Sequence, residues 1–598
     1  MKRIAALVLL ATSIACSHEK GADPSDISQL PPPKQESSKL ADAPPSPPPP
    51  PPPALRTEPS FAKGVEGGVA GGVAGGVVGG VVGTTMSPSA IPMSIAAENG
   101  GAFKRAARSP GAPYEYDSDH NTEEYGRIVE NRFLDPTREP LSTFGVDVDR
   151  ASYAMVRRFL DSGQLPPRDA VRIEELVNYF EYDYPAPRGG EPFSITTEVA
   201  SCPWNDRHRL LRIGLQAEKI DLKDLPPNNL VFLLDVSGSM ASPDKLPLLK
   251  SSLAMLVDNL RSDDSVAIVV YAGNAGLVLP PTPGTQKGRI LDALERLESG
   301  GSTAGGAGIV LAYETARDHF LRRGNNRVIL ATDGDFNVGV SSDGELQRLI
   351  EKERASGIFL SVLGFGTGNV KDSKMELLAD KGNGNYAYID GLGEAKKVLV
   401  TEMGGTLVTV AKDVKLQVEF NPAHVAAYRL IGYENRMLAA EDFNDDKKDA
   451  GEIGAGHSVT ALYEIVPPGV PVPSGSVDPL KYQATRSDAT RKASGELATV
   501  KIRYKKPDGD RSMLLSETVS DSGLKIEVSS SDMRFAAAVA ELGLLLRDSE
   551  YKGDASFAEI TRLATRAAGR DTEGHRGDFI GLVGKAERIA GTKEIAMR

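Results

Sequence analysis

Asp235, Ser237 and Ser239 form an Asp-x-Ser-x-Ser run at the end of the apolar segment Leu230 to Val236. Two later segments carry the same kind of donor: Gly300-Gly301-Ser302-Thr303, and Thr332-Asp333-Gly334 directly after Val328 to Ala331. Carboxylate and hydroxyl oxygens are what a hard cation takes. Mg²⁺ wants six oxygens at about 2.1 Å, keeps water readily and is usually held by one or two carboxylates. Three hydroxyls and two carboxylates fill only part of that octahedron, so some of them act through water and one position stays open to an outside oxygen. Asp235 and Asp333 only just neutralise a +2 ion, which stays electrophilic. A carboxylate from a partner protein, Glu or Asp, is its natural sixth ligand.

Other readings of these residues are weaker. Asp and Ser also cap helices, and a helical pattern begins near Leu246; capping explains one motif but not three in order, each after an apolar strand. An aspartyl-phosphate enzyme of the haloacid-dehalogenase pattern needs an acid two residues beyond the nucleophile, where this chain has Ser237. There is no GxxxxGK[ST] phosphate loop, HExxH zinc helix or GxSxG elbow, and the histidines are scattered without ligand spacing. Asp442-Phe443-Asn444-Asp445-Asp446 starts like a calcium loop, but Lys447 replaces the required Gly and Ile453 the bidentate Glu; it reads as an acidic surface turn. Arg576-Gly577-Asp578 spells an integrin-recognition tripeptide at a helix start and reads as coincidence. No catalytic set emerges, and the chain is not expected to be an enzyme.

The elements that must position the oxygens follow from periodicity. Over residues 226–410, apolar runs (Leu230 to Val236, Val266 to Tyr271, Val328 to Thr332, Ile358 to Leu363, Tyr386 to Ile389) alternate with amphipathic helical patterns. Continuous apolar strands between helices predict a parallel sheet covered on both faces, and such sheets bind ligands beyond their carboxyl strand ends. Residues 123–225 read as a small α+β module, with helices over Ser152 to Leu160 and Asp169 to Phe180. Residues 411–598 read as a β-rich domain with a helical end, with strands at Val414 to Phe420, Thr460 to Val466, Ala498 to Tyr504 and Leu524 to Val528. The two flanks are candidates for one joint unit.

The order and spacing of the oxygen motifs resemble the metal-ion-dependent adhesion site of the von Willebrand factor A domain, across residues 226–410. The resemblance implies a Rossmann-like α/β fold. It also implies, position by position, Asp235, Ser237 and Ser239 from the first loop, Thr303 from the second and Asp333 from the third as ligands of a divalent metal. Mg²⁺ is the expected ion, with Mn²⁺ and Ca²⁺ as alternatives. The flanks resemble those of a bacterial family of envelope von Willebrand A lipoproteins, through Phe144-Gly145-Val146-Asp147-Val148-Asp149 and Ala151-Ser152-Tyr153. That likeness spans most of residues 123–598 and implies architecture, not partner.

Residues 1–15, with a basic start, a short apolar run and small residues before Cys16, read as a secretory signal. Ser13-Ile14-Ala15-Cys16 resembles a bacterial lipobox, which implies lipidation of Cys16, cell-envelope anchoring and, with Ser17 following, the outer membrane. Three acyl chains would hold far more firmly than one myristoyl chain. Residues 16–122 read as a tether: Pro47 to Pro53 impose polyproline II, and the Gly-Gly-Val-Ala/Val repeat from Gly67 to Gly83 has too much glycine for a stable helix. Its GxxxG spacing would suit a membrane helix contact, but the repeat is too short to span alone. With Cys16 acylated, Cys202 is a free, buried thiol or an intermolecular one. A balance of 69 Lys+Arg against 81 Asp+Glu, net −12, argues against nucleic-acid binding, which needs clustered basic charge. The expectation is therefore an anchored protein that binds a protein partner through a metal. The alternative is an assembly scaffold in which a carboxylate of its own flank latches the metal.

Overall fold

The computed structural model describes residues 122–597 apart from stretches at 147–148, 221–224, 303–304, 335, 337–342, 403–407, 449, 474–494, 508 and 510. The lipobox, the tether and Thr303 lie outside the described residues.

In chain order the first elements are β1 (Leu141–Gly145), α1 (Ala151–Asp161), α2 (Ile173–Asn178), β2 (Phe193–Cys202) and β3 (Asn205–Ala217). Next come β4 (Asn228–Asp235), α3 (Leu246–Asp258), β5 (Ser265–Tyr271), β6 (Ala275–Pro283), α4 (Lys287–Glu295), α5 (Gly305–Asp318), β7 (Asn325–Thr332), α6 (Asp343–Ala355), β8 (Ile358–Phe365), α7 (Asp372–Lys381), β9 (Tyr386–Ile389) and α8 (Leu392–Lys396). They form a six-stranded sheet in the order β6-β5-β4-β7-β8-β9. β5, β4, β7, β8 and β9 run parallel, as the continuous apolar runs predict. One face packs on α3, α4 and α8 through Leu249, Leu253, Ile290 and Leu294; the other packs on α5, α6 and α7 through Ile309, Tyr313, Ile350 and Met375. The sequence reading did not separate out β6, which pairs antiparallel to β5 at the sheet edge. Its Pro280, Pro281 and Pro283 have no N–H to donate to a ladder and confine it there.

The rest of the chain continues as β10 (Thr409–Phe420), β11 (Ala427–Ile431), β12 (Gly451–Gly454), β13 (Ser458–Val466), β14 (Glu496–Lys505) and β15 (Ser512–Ser520). Helices follow at Ser531–Arg547, Phe557–Ala567 and His575–Met597. Here the flanks fold together. β3 pairs with β13 along Arg209↔Ile465 to Gln216↔Ser458, giving a sheet β11-β13-β3-β2, while β1 lies on β10 in the second sheet, β1-β10-β14-β15. Phe144, Leu211, Ile213, Leu416, Tyr463 and Val500 fill the space between them. The parallel-sheet domain is thus an insertion between two halves of one β-sandwich. The terminal helices close a third core on α1, α2 and Trp204. Among the described residues no helix is long and apolar enough to cross a membrane.

Two local expectations fail for physical reasons. The helix expected over Asp169 to Phe180 is split into a 3₁₀ turn, Arg168–Ala170, and α2, with Arg172 extended between them. That extension carries the Arg172 guanidinium to Glu175 and Asp372. Leu524 to Val528 is not a strand: Ile526–Val528 is a 3₁₀ turn with Ile526 buried and Val528 exposed, and the segment is hydrogen-bonded to β2 at Ser201 rather than along a ladder. The run is too short and lacks a second row of partners.

Candidate metal centre

Burial in the middle of the sheet fixes β4, whose eight residues are all buried, and it ends at Asp235 on the carboxyl edge. There the backbone turns back on its own side chain: the Ser237 N–H donates to Asp235 Oδ1 at 2.8 Å. From the neighbouring strand β7, the Thr332 hydroxyl donates to Asp235 Oδ2 at 3.3 Å and accepts from the Gly334 N–H at 3.2 Å. Asp235 and Asp333 are each at most 1 % exposed. Burial, with the Asp333 charge nearby, pushes the Asp235 carboxyl up to about 6 despite the opposing Ser237 hydrogen bonds.

The Ser237 and Ser239 hydroxyl oxygens stand 3.0 Å apart. Two adjacent oxygens of an octahedron with bonds of about 2.1 Å are separated by about 3.0 Å, so this pair matches one edge of a Mg²⁺ coordination sphere. Among the described residues no three His, Cys, Asp or Glu side chains gather at a point; a cation here depends on hydroxyl oxygens beside two carboxylates, and the residues present fit it. The loop carrying Thr303 is stitched on by Gly300 N–H to Val236 O (2.8 Å) and Gly238 N–H to Gly301 O (3.1 Å). The structure therefore brings together Asp235, Ser237, Ser239 and Asp333. Helix capping does not explain them, since α3 begins after Lys245 with no side-chain cap.

The third loop is held from behind. Gly334 has φ +110°, and a Cβ there would lie 2.4 Å from Asn369 O and 2.6 Å from Lys371 N; only glycine lets the loop lie against this segment. The same segment receives the start of the N-terminal module, with Thr122 N–H on Gly368 O and Glu124 N–H on Val370 O, both at 2.9 Å. Beside the first loop, a groove of about 610 Å³ opens between α3 and the end of α4, lined by Met240, Leu246, Pro247, Lys250 and Leu297 among others.

Sequence reasoning missed Lys245. Its Nζ donates to Asp333 Oδ2 at 2.9 Å, and both side chains are buried. A signal was available: a lysine at the N-cap of α3 sits where the helix macrodipole disfavours a cation, so something else must hold it there. The secondary motifs are absorbed structurally. Lys415 Nζ donates to the Asp442 and Asp445 carbonyls and Lys505 Nζ to the Asp446 carbonyl, so ammonium groups occupy the acidic turn. Arg576 is committed to the Ala567 and Glu181 carbonyls and lies over Phe535, which removes it from any recognition role. Cys202 is a buried free thiol whose pKa burial drives well up.

Comparison with known proteins agrees with this layout. The family model for the von Willebrand factor type A domain matches residues 229–399, one described as von Willebrand factor matches 119–212, and one described as "Uncharacterized protein YfbK, C-terminal" matches 405–589. "Uncharacterized protein YfbK" of Escherichia coli (strain K12) is 45% identical over 495 residues, covering 81% of this chain and 84% of the relative. Inter-alpha-trypsin inhibitor heavy chain H3 of Homo sapiens is 27% identical over 168 residues, covering 26% of this chain and 18% of that protein. A solved structure of a von Willebrand factor type A protein from Catenulispora acidiphila covers 66% of this chain and 91% of its own at 16% identity and a TM-score of 0.35. With extensive identity to YfbK and a type A match over the sheet that carries Asp235 and Asp333, the chain belongs to the YfbK family and contains a von Willebrand factor type A domain.

Proposed function

We propose that this protein is anchored in the cell envelope through a lipidated Cys16, at the outer membrane, and binds a protein partner through a divalent cation, Mg²⁺ by preference. Asp235, Ser237, Ser239, Thr303 and Asp333 would hold the ion, directly or through water. When bound, the ion supplies a Lewis-acidic position for an Asp or Glu carboxylate of the partner.

The observation that carries this reading is the pair of hydroxyl oxygens 3.0 Å apart beside two buried carboxylates. Lys245 offsets one of the two buried carboxylates; the negative charge that remains is expensive to bury unless a cation joins it. The chain's own contribution is to exclude water behind the site, to orient Asp235 through Ser237 and Thr332, and to offer beside it a groove lined by both apolar and charged side chains, Leu246 and Leu297 with Lys250 and Glu295 among them. No step breaks a covalent bond.

The test is affinity capture from host envelope extract with the full chain immobilised, in Mg²⁺ and in EDTA, against an Asp235→Asn control. A partner retained only by the wild type in Mg²⁺ is the expected result. The same partners in all three captures would overturn metal-bridged recognition.

A further inference from the structure

Lys245 is built into the centre rather than lying near it. Its stem runs over Gly366, in the loop after β8: a Cβ at that glycine would lie 2.3 Å from Lys245 Cγ and 2.4 Å from Cε, and its φ is +74°. A side chain at residue 366 would therefore displace the lysine, and its left-handed backbone conformation favours glycine. The channel so formed ends at Asp333, where the ammonium donates at 2.9 Å. An ammonium is compact and strongly hydrated, so burying one beside a candidate metal ligand has an electrostatic consequence.

Asp235 and Asp333 together contribute two negative charges, and Lys245 returns one positive. These three groups, among the described residues, sum to one negative charge. A divalent cation would leave the cluster singly positive, and one incoming carboxylate would bring it to neutrality. Without the lysine, the metal alone would neutralise the cluster, and a carboxylate would make it negative. At the short separations here such a difference is large, because charges in a partly buried site interact several times more strongly than in bulk water.

We propose that Lys245 is a built-in counter-cation that weakens the hold on a metal ion alone and strengthens it when a partner carboxylate is present, so that metal and partner bind as a coupled pair. This rests on the metal-site reading above and adds the coupling. The coupling is reciprocal: carboxylate raises metal affinity by the same factor that metal raises carboxylate affinity.

The experiment titrates Mn²⁺ into the full chain in detergent, followed by electron paramagnetic resonance of free Mn²⁺, with and without acetate as the carboxylate probe. Wild type, Lys245→Met, Lys245→Arg and Asp235→Asn are compared. Removing the ammonium in Lys245→Met should tighten Mn²⁺ binding in the absence of acetate by about tenfold or more and shrink the gain from acetate. Lys245→Arg, which keeps the charge, should remain closer to wild type than the Met variant. If the Met variant does not fold, Lys245→Gln takes its place, since it can still donate to Asp333 without the charge. Wild-type Mn²⁺ binding that depends on Asp235 but is unchanged or weaker in the uncharged variants overturns the coupling and leaves the metal site standing. Mn²⁺ binding that is absent, or indifferent to Asp235→Asn, overturns both.

Discussion

Asp235→Asn separates the cost of the proposed metal centre from its use. In the folded chain the Asp235 carboxyl titrates at about 6 instead of its ordinary 3.8, with burial the largest cause. A raised acid pKa means the folded state holds the proton in preference to the unfolded state. Its stability contribution is therefore greatest at low pH and is lost as pH rises from 3.8 towards 6. At 1.36 kcal/mol per pH unit, the ionised side chain costs the metal-free protein roughly 3 kcal/mol above that window. Asparagine keeps the shape, can still accept from the Ser237 N–H, and carries no charge. In EDTA at pH 7.5 the variant should melt a few degrees higher than wild type, and the gap should close as pH falls to 4. In Mg²⁺ the order should reverse, because only wild type gains ligand-linked stability. Differential scanning calorimetry in the two buffers across this pH range reads both effects. A metal-free Asn variant less stable than wild type by the same amount at pH 4 and pH 7.5 would refute the electrostatic argument.

Glu541 in the helix Ser531–Arg547 is fully buried, accepts from the Ser556 N–H at 3.0 Å, and is pushed up by burial to about 8 from 4.5. Stability should fall as pH rises from 4.5 to 8, by up to roughly 5 kcal/mol; urea denaturation of Glu541→Gln should show that slope removed and the variant more stable than wild type at pH 9. Arg172 pairs with Glu175 and Asp372 at the junction of α2 with the parallel-sheet domain. Arg172→Ala strands those buried carboxylates and should cost about 3–5 kcal/mol, seen as a lower urea midpoint; an unchanged midpoint would contradict it. Cys202 is only 2 % exposed and should resist a thiol-reactive chromophore until denaturant is added. Labelling at the native-state rate of a free thiol would show that the core around Trp204 opens.

Much of the parallel-sheet domain was legible because its strands are buried on both faces. Leu230 to Val236 and Val328 to Thr332 read as uninterrupted apolar runs, and helical periodicity filled the gaps between them. Its antiparallel edge was not legible, since β6 pairs through one side only and leaves Leu277 and Val278 exposed. β15 was missed for the same reason: most of its residues face solvent, so no alternation marks it. That Asp235, Ser237, Ser239 and Asp333 could lie together was legible because their oxygens follow strand ends. Lys245 was not, because a lone lysine before a helix carries no motif.

The sequence by itself set out the candidate oxygen donors, their order along the chain and the type of sheet that presents them, since each depends on residue type and short-range periodicity. Tertiary structure alone decided two things. Residues 193–217 and 458–466 were paired into one sheet across the inserted domain, because backbone hydrogen bonds between distant strands leave no trace in either strand's own pattern. Lys245 was aimed at Asp333 because Gly366, more than a hundred residues away in sequence, leaves the channel its stem fills; burial of a charge is a property of the packed surroundings, not of the residue.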